Sequence, residues 1–176
     1  MMRGGYLILP LLLLGACQKE DDGLAANKVE TDAGRALDAK AIAAGIMPDR
    51  NNLDLAGRFE TQSDLGTDKF CAVSAGAGQF SVGLLAVFGP ESKCEAQGRA
   101  AIDGEKVRIS LRGKDNCAFD AEFDGVELRI PGSIDAGCAS YCSPRASFSG
   151  TSYFKVETGD NNARRALGRD IEKLCD

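Results

Sequence analysis

Between Val107 and Ile130, apolar side chains return at every second position. Val107, Ile109 and Leu111 alternate with Arg108, Ser110 and Arg112. Cys117, Phe119, Ala121 and Phe123 alternate with Ala118, Asp120, Glu122 and Asp124, and Val126, Leu128 and Ile130 with Glu127 and Arg129. Successive side chains of a strand point to opposite faces, so this period buries one face and wets the other. A helix would need apolar positions three and four apart. The alternation therefore commits this stretch to antiparallel sheet.

Turn signals divide the sheet into hairpins. Asp124-Gly125 reads as a two-residue turn, because both residues tolerate positive φ. That register sets Phe123 against Val126, Ala121 against Leu128, and Phe119 against Ile130. On the wet face Asp120 meets Arg129, and Glu122 meets Glu127. Asp103-Gly104 likewise sets Ala100 against Val107, Gly98 against Ile109 and Ala96 against Leu111. Small residues facing large ones suit a tightly curved interior. Leu55–Glu60, Lys69–Ser74, Gln79–Phe88 and Ala146–Val156 are further strand candidates. The expected fold is mainly β, a small antiparallel meander barrel or sandwich of about eight strands.

Helices are expected on both flanks. Thr31 can cap a helix with Asp32 in its first turn, an apolar stripe of Ala33, Ala36, Leu37, Ala41 and Ala44, and Gly45 at its end. In the third strand candidate, Phe80, Val82, Leu84, Ala86 and Phe88 share one face while Leu85 and Val87 lie on the other. A strand apolar on both faces needs cover on both. An amphipathic C-terminal helix over Asp160–Leu174 is the expected cover, its stripe being Ala163, Ala166, Leu167, Ile171 and Leu174.

The first 16 residues read as an export signal: Met1-Met2-Arg3, then the apolar run Tyr6–Leu14, then small residues. That run of nine is far short of the roughly 20 residues a membrane-spanning helix needs. Leu14-Gly15-Ala16-Cys17 resembles the lipobox of bacterial lipoproteins. The resemblance implies that Cys17 becomes the acylated first residue of the mature chain. The resemblance further implies a diacylglyceryl group and an N-acyl chain there, enough for stable attachment to a membrane. Gln18 and Lys19 stand where an aspartate would signal inner-membrane retention, so the resemblance points to the outer membrane, facing the periplasm. Residues 18–30 are polar and charged, which suits a flexible tether. The expected organisation is a signal peptide (1–16), a tether (17–30) and one disulfide-stabilised β domain with flanking helices (31–176).

Six cysteines remain after Cys17: Cys71, Cys94, Cys117, Cys138, Cys142 and Cys175. In an oxidising compartment an even number reads as a disulfide framework, with 15 possible connectivities. Three bridges are expected; the alternatives are fewer bridges with free thiols, or a metal site. Losing the signal removes Arg3 and takes the formal charge from −5 to −6. An acidic domain is a poor partner for nucleic acid, whose phosphates need clustered Lys and Arg.

The chain has no histidine. That excludes Ser-His-Asp and Cys-His nucleophilic machinery and His-ligated zinc or copper. Ser152-Tyr153-Phe154-Lys155 matches Ser-x-x-Lys in spelling, but a period of two sends residues three apart to opposite faces. Cys138-Ala139-Ser140-Tyr141-Cys142 reads as a structural loop; a redox dithiol or copper-carrier site is the alternative. Asp115, Asp120, Glu122 and Asp124 read as solvated acids, without the ligand loop of a calcium site. No catalytic residue, metal or cofactor is expected. Ser149-Gly150-Thr151-Ser152-Tyr153 resembles the Ser-Gly-x-x-Tyr segment of membrane-bound inhibitors of c-type lysozyme, which are also anchored barrels. That resemblance implies Ser149 and Tyr153 as partner contacts.

The expected function is a non-enzymatic, lipid-anchored envelope protein that binds or scaffolds, with an envelope protein as a possible partner. Lysozyme inhibition and carboxylate-dependent hydrolysis of envelope glycans are the alternatives.

Overall fold

The computed structural model describes residues 31–113 and 115–176. The expected signal peptide, Cys17 and the tether lie outside the described residues. Eight strands follow in order: β1 (Gly57–Ser63), β2 (Gly66–Gly76), β3 (Gln79–Val87), β4 (Lys93–Asp103), β5 (Lys106–Leu111), β6 (Ala118–Phe123), β7 (Glu127–Arg129) and β8 (Ser152–Thr158). Each pairs antiparallel with the next, and β8 returns to β1 to close a barrel. Of the two architectures expected, the barrel is the one formed. Closure leaves no sheet edge along the ring.

Interior positions follow the alternation. Val107 and Ile109 are fully buried, as are Phe59, Phe70, Phe123 and Tyr153. Phe59 meets Phe70 edge-on at 5.2 Å between ring centroids and Phe123 at 5.7 Å. Burying each such ring contributes about 2–3 kcal/mol, and the edge-on contacts add to it. The β4 wall supplies the compensating small residues. A Cβ placed on Gly98 would lie 2.9 Å from Leu111 Cα and 2.3 Å from the Ser110 carbonyl oxygen, so no side chain fits there. Eight strands leave just the width that side chains fill. This barrel has a packed core.

Both Asp-Gly hairpins form two residues out of the expected register. Ala100 faces Ile109, Gly98 faces Leu111 and Ile102 faces Val107. Phe123 faces Leu128, and Glu122 faces Arg129. In each case glycine is the first residue of the loop, with φ +58° at Gly104 and +99° at Gly125; Asp103 ends β4, and Asp124 follows the last residue of β6. A two-residue loop with positive φ at its first position only needs glycine there, and any residue follows. The Asp124 carboxylate fixes the second turn by accepting the N–H groups of Val126 (2.9 Å) and Glu127 (2.8 Å). A shift of two preserves which face is inside. It does move Val126 out of the core and onto the loop, half-exposed.

Helix α1 (Asp32–Ala43) forms as expected, with the Thr31 hydroxyl accepting the Gly34 N–H at 3.1 Å. None of its residues is buried. The chain then crosses one barrel end, where Pro48 and Leu53 pack on Gly125 and Leu55 is buried.

The expected C-terminal helix is corrected. Only α2 (Asp160–Ala163) is helical. Beyond it the chain follows an irregular path along the outside of β2 and β3. Gly168 is the reason. Its position leaves no room for a side chain beside the Glu95 carboxylate, which accepts the N–H groups of Arg169 (2.7 Å), Asp170 (2.8 Å) and Ile171 (3.2 Å). A carboxylate taking three successive N–H groups replaces the helical partners they would otherwise have. The cover itself is as expected: Ala163, Ala166 and Leu174 bury Val73, Leu85 and Val87 in a second small core.

Three disulfides form: Cys71–Cys175, Cys94–Cys142 and Cys117–Cys138. The first fastens the C-terminal strap to the outer wall. The other two draw the segment containing a 3₁₀ helix (Ala136–Tyr141) over the barrel end opposite Pro48.

Candidate binding surface

A filled barrel has no internal site, so chemistry must be sought on its outside and at its ends. Tyr153 points inward. Its ring is fully buried beside Phe70, and its hydroxyl lies 3.3 Å from Thr151 Oγ1. Burial drives its phenol pKa well above the usual value. A side chain enclosed in this way is not presented to a partner, which removes one of the two expected contacts. Ser149 lies half-buried in the preceding loop, its hydroxyl taking a hydrogen bond from Ser147 at 2.9 Å.

The remaining expected residues separate. Cys142 bonds Cys94 of β4 and Cys138 bonds Cys117 just before β6, so the two are not a dithiol pair. Asp120 pairs with Arg108 at 3.2 Å on the wet face of β5 and β6, and Glu122 lies 4.0 Å from Arg129. No group of three Cys, Asp or Glu side chains among the described residues is placed to hold a metal ion.

Lys155 is the inward-pointing cation that the sequence did not reveal. It follows Tyr153 by two, so it shares the inner face at the end crossed by residues 48–56. Its Nζ donates to the Asp54 carbonyl oxygen at 2.5 Å and lies 5.4 Å from the ring centroids of both Phe59 and Phe123. Aromatic faces attract a cation at that range. Burial still lowers its pKa below the ordinary lysine value, with the Asp54 carboxylate acting the other way.

With Tyr153 and Lys155 inside, Phe154 and Val156 must face out. Phe154 stands between Glu60 of β1 and Glu127 of β7. β7 stops after three residues while β8 runs for seven, so beyond Lys155 a shallow groove opens between the Gly125–Val126 tip and Val156–Thr158, ending at Asn162. A register shift between Arg58 and Phe59 places Val156 as the extra residue of a bulge. Nine large apolar side chains are exposed among the described residues, and Val126, Phe154 and Val156 are three of them. Ile46 and Met47, also exposed, immediately precede Pro48, which packs on Gly125. Of the nine, Val126 and Val156 line the groove, and Phe154 lies opposite Glu127 beside it.

Charged side chains stand around the groove. Arg58 bonds Glu60 and, at 2.8 Å, Glu157; Arg165 reaches Glu157 at 3.0 Å. Arg129 pairs with Glu127 at 2.8 Å and Asp124 at 3.6 Å. Its hydrogen bond to Arg58, with both arginines nearby, holds the Glu157 carboxyl below the usual range. The arrangement offers an apolar centre with an ionised rim, and no nucleophile or acid–base pair.

No protein-family model, no curated protein and no solved structure matches this chain.

Proposed function

We propose that this chain is an exported lipoprotein, held on a bacterial envelope membrane by acyl chains on Cys17, and that it works by binding through its outer surface. The observation that supports this most is the packed interior. An eight-stranded barrel filled by Phe59, Phe70, Phe123 and Tyr153 has no room for a small ligand. Cross-links at one end and along one wall make the module rigid, as suits a protein working outside the cytosol. The outer membrane, periplasmic side, is the proposed location. A lysozyme inhibitor acting through Ser149 and Tyr153 would lack its tyrosine contact. A glycan hydrolase using Asp120 and Glu122 would have two acids already paired with Arg108 and Arg129 on the outer sheet face.

The test is metabolic labelling with radioactive palmitate, followed by fractionation. Wild-type protein should carry label and sediment with outer membranes. Cys17→Ala should lose both. An unlabelled, freely soluble wild-type product would refute the anchor.

A further inference from the structure

We infer that this chain matures by a thiol–disulfide rearrangement that undoes an early Cys71–Cys94 bridge, and that its partner in the step is a dithiol protein of the oxidising compartment. The inference rests on the export reading above and adds to it a partner and a reaction.

The three native bridges are nested: Cys71–Cys175 encloses Cys94–Cys142, which encloses Cys117–Cys138. Pairing the same six cysteines in order of appearance gives Cys71–Cys94, Cys117–Cys138 and Cys142–Cys175. The middle bridge is common to both maps, and the other two differ only by an exchange of partners. Loop closure in the unfolded chain favours the early bridge. Cys94 follows Cys71 within a quarter of the 104 residues that separate Cys71 from Cys175. A closure cost growing as about 1.5 RT ln n makes the nearer encounter roughly tenfold more frequent. An exported chain also presents Cys94 to Cys71 long before Cys175.

The barrel cannot hold that early bridge. Cys71 lies on β2 and Cys94 on β4, with β3 between them. Cys71 stands opposite Gly83 of β3, and Cys94 opposite Ala86, three residues further along. Two strand spacings and that rise set their Cα atoms more than about 10 Å apart, whereas a bridge needs less than about 7 Å. They also lie on opposite sides of the wall: Cys94 belongs to the interior core, and Cys71 to the small core under the strap. The early bridge must open before the sheet can close.

The exchange is redox-neutral. A thiolate of the partner attacks Cys94 Sγ, forms a mixed disulfide and expels the Cys71 thiolate. Cys71 Sγ attacks Cys175 Sγ of the Cys142–Cys175 bridge, forming the native bond and expelling the Cys142 thiolate. Cys142 Sγ then attacks Cys94 Sγ in the mixed disulfide, completing Cys94–Cys142 and returning the partner's thiolate. All six cysteines are engaged in the sequential map, so the first thiolate has to come from another molecule.

The test uses the full chain carrying Cys17→Ala, which keeps these six cysteines whatever happens at its amino terminus. It is reduced, unfolded in urea, and oxidised with diamide as the urea is diluted. Non-reducing peptide mapping by mass spectrometry reads the bridges. Under diamide alone, Cys71–Cys94 should be the most abundant bridge outside the native map. A catalytic amount of dithiothreitol should then convert that material to the native map with no net gain of thiols. In cells exporting the wild-type chain, deleting the compartment's dithiol isomerases should lower the yield of the native map at least fivefold. The native map forming directly under diamide alone overturns the inference, as does a different non-native bridge outnumbering Cys71–Cys94. So does an unchanged native yield in cells without the isomerases. The purified chain is read without its anchor, so failed palmitate labelling and failed rearrangement are separate results.

Discussion

Glu95 accepts the backbone N–H of Arg169 at 2.7 Å, across 74 residues of sequence, and through this contact the C-terminal strap is seated. Its carboxylate is only 4% exposed and also takes the N–H groups of Asp170 and Ile171. Removing an acceptor strands each buried donor at about 1–3 kcal/mol. Glu95→Ala should therefore lower stability by about 2–4 kcal/mol, because water can reach part of the vacated site. Glu95→Gln keeps one carbonyl oxygen and should cost less. Urea unfolding of both variants tests the order. An alanine variant as stable as wild type would mean that the strap is held by its disulfide alone.

Gly83 stands under the same strap. A Cβ there would lie 2.0 Å from the Leu174 carbonyl oxygen, which is backbone and has no rotamer to escape into. Gly83→Ala should lift the strap and cost about 1–3 kcal/mol, as overpacking does. At Gly104 nothing lies within 4 Å, so Gly104→Ala should show only the penalty of its positive φ. Amide exchange separates them: Gly83→Ala should speed residues 163–174, and Gly104→Ala should speed the β4–β5 hairpin.

The three disulfides enclose sequence separations of 104, 48 and 21 residues. In the chain-entropy account, stabilisation grows with loop length, to about 3 kcal/mol for short loops and about 4.7 kcal/mol near 100 residues. Cys71→Ser with Cys175→Ser should therefore cost more than Cys117→Ser with Cys138→Ser. Its exchange damage should also stay local, confined to residues 161–174, because Val73 and Leu85 lie outside the main core. Equal costs, or loss of protection throughout the barrel, would contradict that division.

The barrel was legible in the sequence because strand alternation survives a register error of two. Phe123, Ala121, Phe119, Val107 and Ile109 all face inward as expected, although both hairpins turn one residue later than Asp-Gly suggests. What misled was counting aspartate as the first loop residue: Asp103 still pairs with Lys106, and the Asp124 carboxylate caps its turn from just outside the loop. The strap misled for another reason. Ala163, Ala166, Leu167, Ile171 and Leu174 have helical spacing, but a long-range carboxylate, invisible in local pattern, claims the N–H groups that a helix would use. In β8, Tyr153-Phe154-Lys155-Val156 offered two faces. Polarity alone favours Phe154 and Val156 inside, yet the barrel took Tyr153 and Lys155, satisfying one with Thr151 and the other with the Asp54 carbonyl. The candidate surface was hidden by that inversion.

Asp124 should make its turn acid-sensitive. Burial alone would raise its pKa. The N–H groups of Glu127 and Val126, with Arg129 and Arg50, outweigh that and hold it below the ordinary value of 3.8. A carboxyl depressed in the folded state stabilises above the unfolded pKa, and that contribution disappears as pH falls through the folded one. Asp124→Asn should narrow the stability difference from wild type as pH drops from 5 toward 2. At neutral pH the loss should be about 1 kcal/mol. A difference constant across this range would mean that the hydrogen bonds do not depend on the charge.

Alkaline behaviour divides between the two inward residues of β8. The Lys155 pKa is lowered by burial from its ordinary 10.5, so the unfolded chain holds that proton more tightly. Stability attributable to Lys155 must then rise with pH from the folded pKa up to 10.5, where the unfolded lysine also becomes neutral. Tyr153 has the opposite sign. Its pKa is raised, chiefly by burial, above the ordinary value of 10.0. Its contribution is complete below pH 10 and declines above it. Comparison with Lys155→Met and Tyr153→Phe from pH 7 to 11 isolates each term. Wild type should gain on the methionine variant toward pH 10.5 and lose ground to the phenylalanine variant beyond pH 10. Phenolate absorbance gives an independent reading, since Tyr153 should ionise only as the barrel unfolds. A native-state phenolate signal that disappears in Tyr153→Phe would place that ring in water.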